Sequence, residues 1–180
     1  VREHGSGNAG LTNFARNYGG WNSLLVVLID GGKAVIATML SGILLKPYGL
    51  EAEGMMLGAV AVSLGHDFPA LLGFRGGKGV LTTLGMMLIL DWKVALLSLL
   101  MFIIVVLFSR MVSLGSICAA ATMAVLTYVF RMFVYKQDAS TVIFCTCMAV
   151  LIAAILIIKH IPNIKRIAKG TESKLSFGKK

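Results

Sequence analysis

Apolar stretches at residues 21–45, 55–72, 80–90, 94–108, 114–133 and 141–158 succeed one another along the 180-residue chain, separated only by short polar or glycine-rich joints. Most approach the roughly 20 residues that cross a hydrocarbon layer as a helix. A chain in lipid must satisfy its backbone N–H and C=O groups internally, and continuous apolar runs do so as helices. The composition agrees: 57% of residues are hydrophobic, 14% are charged and the mean hydropathy is +0.86, beyond what a water-soluble core requires. The expected fold is all-α, a polytopic transmembrane helical bundle forming a single integral-membrane domain over residues 1–180.

The runs 80–90 and 94–108 are each short, so they form either a hairpin turning at Asp91-Trp92-Lys93 or one long helix. Positive charge decides between them. With the hairpin, segments 1–20, 73–79, 109–113 and 159–180 share a face and carry twelve Lys/Arg, against four opposite: Lys46, Lys93, Arg131 and Lys136. With one long helix the split is six against nine. Cytoplasmic loops are the basic ones, so the hairpin is expected. That reading gives six spans, a cytoplasmic motif loop at 1–20 and a basic cytoplasmic tail at 159–180. In the tail, Ile161, Ile164 and Ile167-Ala168 share a helical face opposite Lys165, Arg166 and Lys169, the pattern of a short helix lying on an anionic leaflet. The chain starts at Val1 with neither an initiator methionine nor a leader-like segment, and is expected to be N-terminally incomplete.

The formal charge of +9 is concentrated in short loops and the tail, which points to anionic lipid or an anionic substrate and away from nucleic acid. Cys118, Cys145 and Cys147 all lie in apolar runs. Cys145 and Cys147, two apart, face different sides of a helix and suit neither a disulfide nor a metal, so they are read as packing residues.

Three polar segments interrupt the apolar pattern. The first is His4-Gly5-Ser6-Gly7-Asn8-Ala9-Gly10-Leu11-Thr12-Asn13, with Arg16 following. Its glycines free the backbone to turn N–H groups toward an anion, while the hydroxyls, amides and arginine add donors and charge. The second, Gly73-Phe74-Arg75-Gly76-Gly77-Lys78-Gly79, opens a helix at Val80 with Thr82 and Thr83 in its first turn, where unpaired N–H groups and the helix dipole favour an anion. It is not a nucleotide loop: that motif needs glycine where this chain has Leu72, and Ser or Thr where it has Gly79. The third is His160-Ile161-Pro162-Asn163 with Arg166, Gly170 and Glu172, in which His160, Asn163 and Arg166 recur at helical spacing. Asp30 and Lys33, three apart inside the first run, are read as a mutually neutralised pair. His66 and Asp67 close the second run, and Arg110 and Ser113 occupy a turn.

Taken in order, Gly5-Ser6-Gly7-Asn8, Thr12-Asn13 and Arg16, then His66 and Phe74 through Val80, then His160, Asn163-Ile164, Arg166, Gly170 and Glu172, the chain resembles the bacterial acyl-phosphate:glycerol-3-phosphate acyltransferases over nearly its whole length. Arg110 with Ser113-Leu114, and Asp30 with Lys33, also fit that pattern. Leu11 and Leu81 depart from it, standing where smaller alanines are expected. The resemblance implies a seven-span enzyme of the bacterial inner membrane with its N-terminus outside, the first span lying before Val1. It implies transfer of a fatty acyl group from acyl phosphate to the sn-1 hydroxyl of glycerol 3-phosphate, giving lysophosphatidic acid and phosphate, as the first acylation step of phospholipid biosynthesis. Ser6, Lys78, His160 and Asn163 are then the expected catalytic residues. Gly5, Gly7, Asn8, Thr12, Asn13, Arg16, His66, Gly76, Gly77, Gly79, Arg110, Ser113, Arg166 and Glu172 are the expected substrate-binding ones. No cofactor and no metal are called for. The bilayer and both substrates are the expected partners, with the enzyme that makes acyl phosphate as a further contact.

The better-known acyltransferases place Asp five positions after a catalytic His; here those positions hold Ala9, Leu71 and Lys165. Acyl phosphate, which already carries a good leaving group, fits that absence better than a thioester. A carrier for a phosphorylated solute is the alternative, since helix-end anion sites and intramembrane charges occur there too. The spans show no inverted repeat, and the anion sites fall on one face, not at the midplane.

Overall fold

A computed structural model describes residues 10–175, apart from the side chains of Thr12 and Arg16. Eight α-helices and no strand are present among the described residues: α1 (Leu11–Tyr18), α2 (Gly20–Leu45), α3 (Glu51–Asp67), α4 (Val80–Leu90), α5 (Trp92–Ser109), α6 (Val112–Val129), α7 (Ala139–Lys159) and α8 (Ile161–Ala168). The helical bundle expected from the apolar runs is thus observed, and five helices are long and apolar enough to cross a membrane. The sixth run, α4, has 11 residues and rises about 16 Å at helical pitch, roughly half a hydrocarbon layer. Asp91 is extended, with φ −164° and ψ 98°, so 80–108 is not one long helix.

The chain divides into two compact units at Trp92. In the first, α3 runs antiparallel to α2: Gly54 approaches Ser41 and Leu45, and four residues on Gly58 approaches Ser41 and Ala37. A Cβ on Gly54 would lie 2.5 Å from the Ser41 carbonyl oxygen, and one on Gly58 2.7 Å from that of Ala37. Lipid supplies no hydrophobic drive between helices, and small residues let backbones reach van der Waals contact instead. The α2–α4 contact repeats the device, with Gly85 against the backbone of Gly31.

In the second unit α6 packs against α5 through Gly115, where a Cβ would lie 2.6 Å from Val106 Cγ2, and against α7. Asp138 caps α7 by accepting the Thr141 N–H at 2.9 Å. Cys145 is buried and Cys147 exposed, and both are unbridged, as their spacing required.

The second run's α-helix closes at His66-Asp67, as expected, and 70–72 follow Pro69 as a separate 3-10 turn. Two expectations are corrected. Residues 11–18 of the 1–20 loop form a helix, because Leu11, Phe14, Ala15 and Tyr18 recur at helical spacing and the Phe14 and Tyr18 ring centroids lie 4.8 Å apart. Arg131, counted as a loop cation, is 6% exposed within a π turn at Phe130–Val134 and donates to Gln137 Oε1 at 2.8 Å.

Within α3, Gly54→Ala should lower unfolding stability by about 1–3 kcal/mol through overpacking against backbone. Gly65→Ala, whose Cβ meets nothing within 4 Å, should leave stability unchanged or raise it. Thermal unfolding in detergent distinguishes the two.

Candidate active site

In the first unit the polar site forms where α3 ends. The Asp67 carbonyl accepts the Gly76 N–H and the His66 carbonyl accepts the Gly77 N–H, both at 3.2 Å, so the returning loop satisfies carbonyls that a helix C-terminus leaves open. That approach demands glycine. A Cβ on Gly76 would overlap the His66 carbonyl oxygen and lie 2.6 Å from Pro69 Cδ, and one on Gly77 would overlap His66 Nε2. Gly79, at φ 69°, is in the left-handed region, and a Cβ there would stand 3.0 Å from Asp67 Oδ1. Gly76 and Gly77 thus commit their N–H groups to α3, and Lys78 stands in sequence just before α4, which begins without a side-chain cap.

His66 continues inward. Its Nδ1 lies 2.7 Å from Lys33 Nζ, which in turn lies 2.6 Å from Asp30 Oδ1. The Asp30–Lys33 pair foreseen from spacing therefore has a third member, supplied by another helix. Asn13, buried on α1, accepts the Asn17 amide on its carbonyl at 2.8 Å and on Oδ1 at 3.3 Å. Gly5, Ser6, Gly7 and Asn8 lie outside the described residues. Thr12 and Arg16 belong to α1.

In the second unit the site gathers on one carboxylate. Glu172 accepts from Ser113 Oγ (α6) and Asn163 Nδ2 (α8) on Oε1 and from Arg166 Nε on Oε2, each at 2.7 Å. Ser113 and Arg166, expected to bind substrate, and Asn163, expected to be catalytic, are thereby held by Glu172, whose two oxygens are both engaged. Burial alone would raise the Glu172 pKa; the bonds from Asn163, Ser113 and Arg166, with the Arg166 charge, outweigh it and hold the carboxylate below its ordinary range. The tail that carries Glu172 is strapped down again at Leu175, whose N–H donates to the Arg110 carbonyl at 2.7 Å. Arg110 adopts φ 59°, and its side chain is exposed. His160, 2% exposed at the α7–α8 junction, holds Nδ1 2.8 Å from the Leu156 carbonyl. A carbonyl only accepts, so Nδ1 carries a proton, and in the neutral form of the ring Nε2 is the acceptor.

Residues absent from the sequence-based set are Asp30, Lys33 and Asp67. The first two had a signal in their i,i+3 spacing within an apolar run, and Asp67, which is buried against Gly79, had one in closing the second run beside His66.

The chain matches a family model described as "Glycerol-3-phosphate acyltransferase" over residues 1–170. The glycerol-3-phosphate acyltransferase of Prochlorococcus marinus (strain MIT 9215) is 40% identical over 176 residues, 98% of this chain and 84% of that one. That of Clostridioides difficile (strain 630) is 36% identical over 176 residues, 97% and 81% of the two chains. Among solved structures, PlsY, an integral membrane glycerol 3-phosphate acyltransferase, is similar in its glycerol 3-phosphate form with a TM-score of 0.80 at 34% identity, covering 97% of this chain and 82% of that one. Its lysophosphatidic acid form gives 0.80 at 33%, covering 95% and 81%.

The Glu172 geometry fixes a pH dependence. A carboxylate whose folded pKa is depressed contributes stability above its unfolded value, about 4.5, and loses it as pH falls from there through the folded value. Thermal unfolding of the wild type should show that acid-side loss. Glu172→Gln should lack it and be less stable at pH 7 by about 1.5–3 kcal/mol, the scale of a hydrogen bond to a charged group.

Proposed function

The chain belongs to the glycerol-3-phosphate acyltransferase family and is a multi-pass membrane protein, and from that premise we propose that acyl phosphate is its donor and the sn-1 hydroxyl of glycerol 3-phosphate its acceptor. The bond from the sn-1 oxygen to the acyl carbon forms, the bond from that carbon to the phosphate oxygen breaks, and lysophosphatidic acid and inorganic phosphate leave. The hydroxyl proton passes to a substrate phosphate oxygen or to His160.

The observation that carries this reading is the uncapped start of α4 with Lys78 beside it, set by the glycine contacts to His66 and Asp67. A cationic donor at a helix N-terminus is an anion site, and both substrates carry phosphate. Because acyl phosphate brings its own leaving group, placement and charge stabilisation supply most of the rate. Lys78, Arg16 and the polar groups Ser6, Asn8, Thr12 and Asn13, with Gly5 and Gly7 freeing the backbone, place phosphates. His160, Asn163, Arg110 and Arg166 serve the acceptor and the reacting carbonyl, and Glu172 positions Ser113, Asn163 and Arg166 through its hydrogen bonds. The basic segments lie on the cytoplasmic side of the bacterial inner membrane, with α8, whose Ile161 and Ile164 are exposed, resting on the anionic leaflet.

Purified protein given acyl phosphate should release phosphate only when glycerol 3-phosphate is present, and Lys78→Ala should lower that rate about 100-fold, the scale of losing one charge-stabilising donor. Release independent of the acceptor, or untouched by the substitution, overturns the assignment.

A further inference from the structure

Asp30 and Lys33 lie inside α2, and their chain of contacts ends on the phosphate loop. Lys33 Nζ stands 2.6 Å from Asp30 Oδ1 and 2.7 Å from His66 Nδ1, whereas Asp30 Oδ1 is 3.5 Å from the same ring nitrogen. An ammonium offers only donors, so the ring nitrogen at 2.7 Å accepts. A neutral imidazole that accepts on Nδ1 carries its proton on Nε2. Nε2 is the atom that a Cβ on Gly77 would overlap, so it is the edge turned to the loop. Asp30 balances the ammonium, as a charge at membrane depth requires. One residue along, Gly31 meets Gly85 with 2.9 Å between its carbonyl oxygen and the Cβ position. The same turn of α2 therefore registers both the helix that the loop opens and the ring beside the loop.

We propose that Asp30 and Lys33 are positioning residues that lock His66 in its Nε2–H tautomer, so that the ring donates a hydrogen bond to the substrate phosphate held at the end of the 76–79 loop by Lys78 and the first turn of α4. The inference rests on the reading of that loop as a phosphate site. With the proton on Nδ1 instead, a lone pair would face the phosphate oxygens and repel them.

The test measures KM for glycerol 3-phosphate and for acyl phosphate separately in Lys33→Met, Lys33→Arg, His66→Gln, the Lys33→Met/His66→Gln double variant and Lys78→Ala. Lys33→Met should raise one KM about tenfold or more, the loss of a hydrogen bond to a charged group, with kcat within about threefold. The substrate whose KM moves is the source of the phosphate. Lys33→Arg should restore most of the affinity. In the His66→Gln background, where an amide donor replaces Nε2–H without needing Lys33, Lys33→Met should add nothing. A fall in kcat at unchanged KM, or fully additive losses in the double variant, overturns the inference. Nitrogen-15 NMR of wild-type His66 gives an arm independent of folding in any variant: the Nε2–H tautomer is expected, and protonation on Nδ1 overturns it. If Lys78→Ala changes neither kcat nor either KM, the loop is no phosphate site and the underlying reading falls. If Lys78→Ala lowers kcat or raises a KM and Lys33→Met raises no KM, only the present inference falls.

Discussion

An ionised side chain at membrane depth persists where its charge is matched, and the first unit is organised around one such match. Lys33 finds a carboxylate on its own helix and an imidazole on α3. Because the imidazole comes from another helix, α2 cannot rotate about its axis without breaking the contact between Lys33 and His66. The neighbouring Gly31 presses on Gly85 of α4, and Ser41 and Ala37 receive the glycines of α3. Electrostatic matching sets the rotation of the helices, and missing side chains set their separation. The loop between α3 and α4 inherits both, since its two ends are held by helices already fixed against α2.

The second unit reaches order by another route. Its polar groups converge on a carboxylate that follows the last long helix, drawing donors from α6 and α8. The two histidines are set oppositely by their neighbours. Lys33 donates to Nδ1 of His66, whereas Nδ1 of His160 donates to a carbonyl. One ring thereby offers a proton and the other a lone pair, a division that follows from which partner meets the same atom type.

Much of the fold was legible in the sequence because run length and helical spacing are local properties. The apolar runs located α2 through α7, the glycines before Val80 located the start of α4, and the polar Asp91 marked the break before α5. The misjudged details depended on contacts or geometry that spacing does not encode. Arg131 reads as a loop cation until a π turn folds it back onto Gln137. The site was legible as motifs but not as contacts. Nothing in spacing joins Lys33 to a histidine 33 residues away, and the glycines at 76 and 77, read as the approach to an anion-binding helix start, prove to be room for His66. Glu172 read as one more ligand because the turn that brings it back onto Asn163 and Arg166, nine and six residues before it, and onto Ser113, 59 before it, is not encoded in spacing.

The carboxylate strap also sets an order on biogenesis. Ser113 precedes Glu172 by 59 residues, several seconds of synthesis at ribosomal rates of about 5–20 residues per second. Through that interval α6 can enter the bilayer while its serine hydroxyl still lacks the acceptor that orients it. The cluster closes only after α7 and α8 have left the ribosome and the following residues fold back. A translation product stopped before Glu172 would lack the acceptor shared by Ser113, Asn163 and Arg166, so the strap makes completion of the chain a condition for the second unit's polar cluster to assemble.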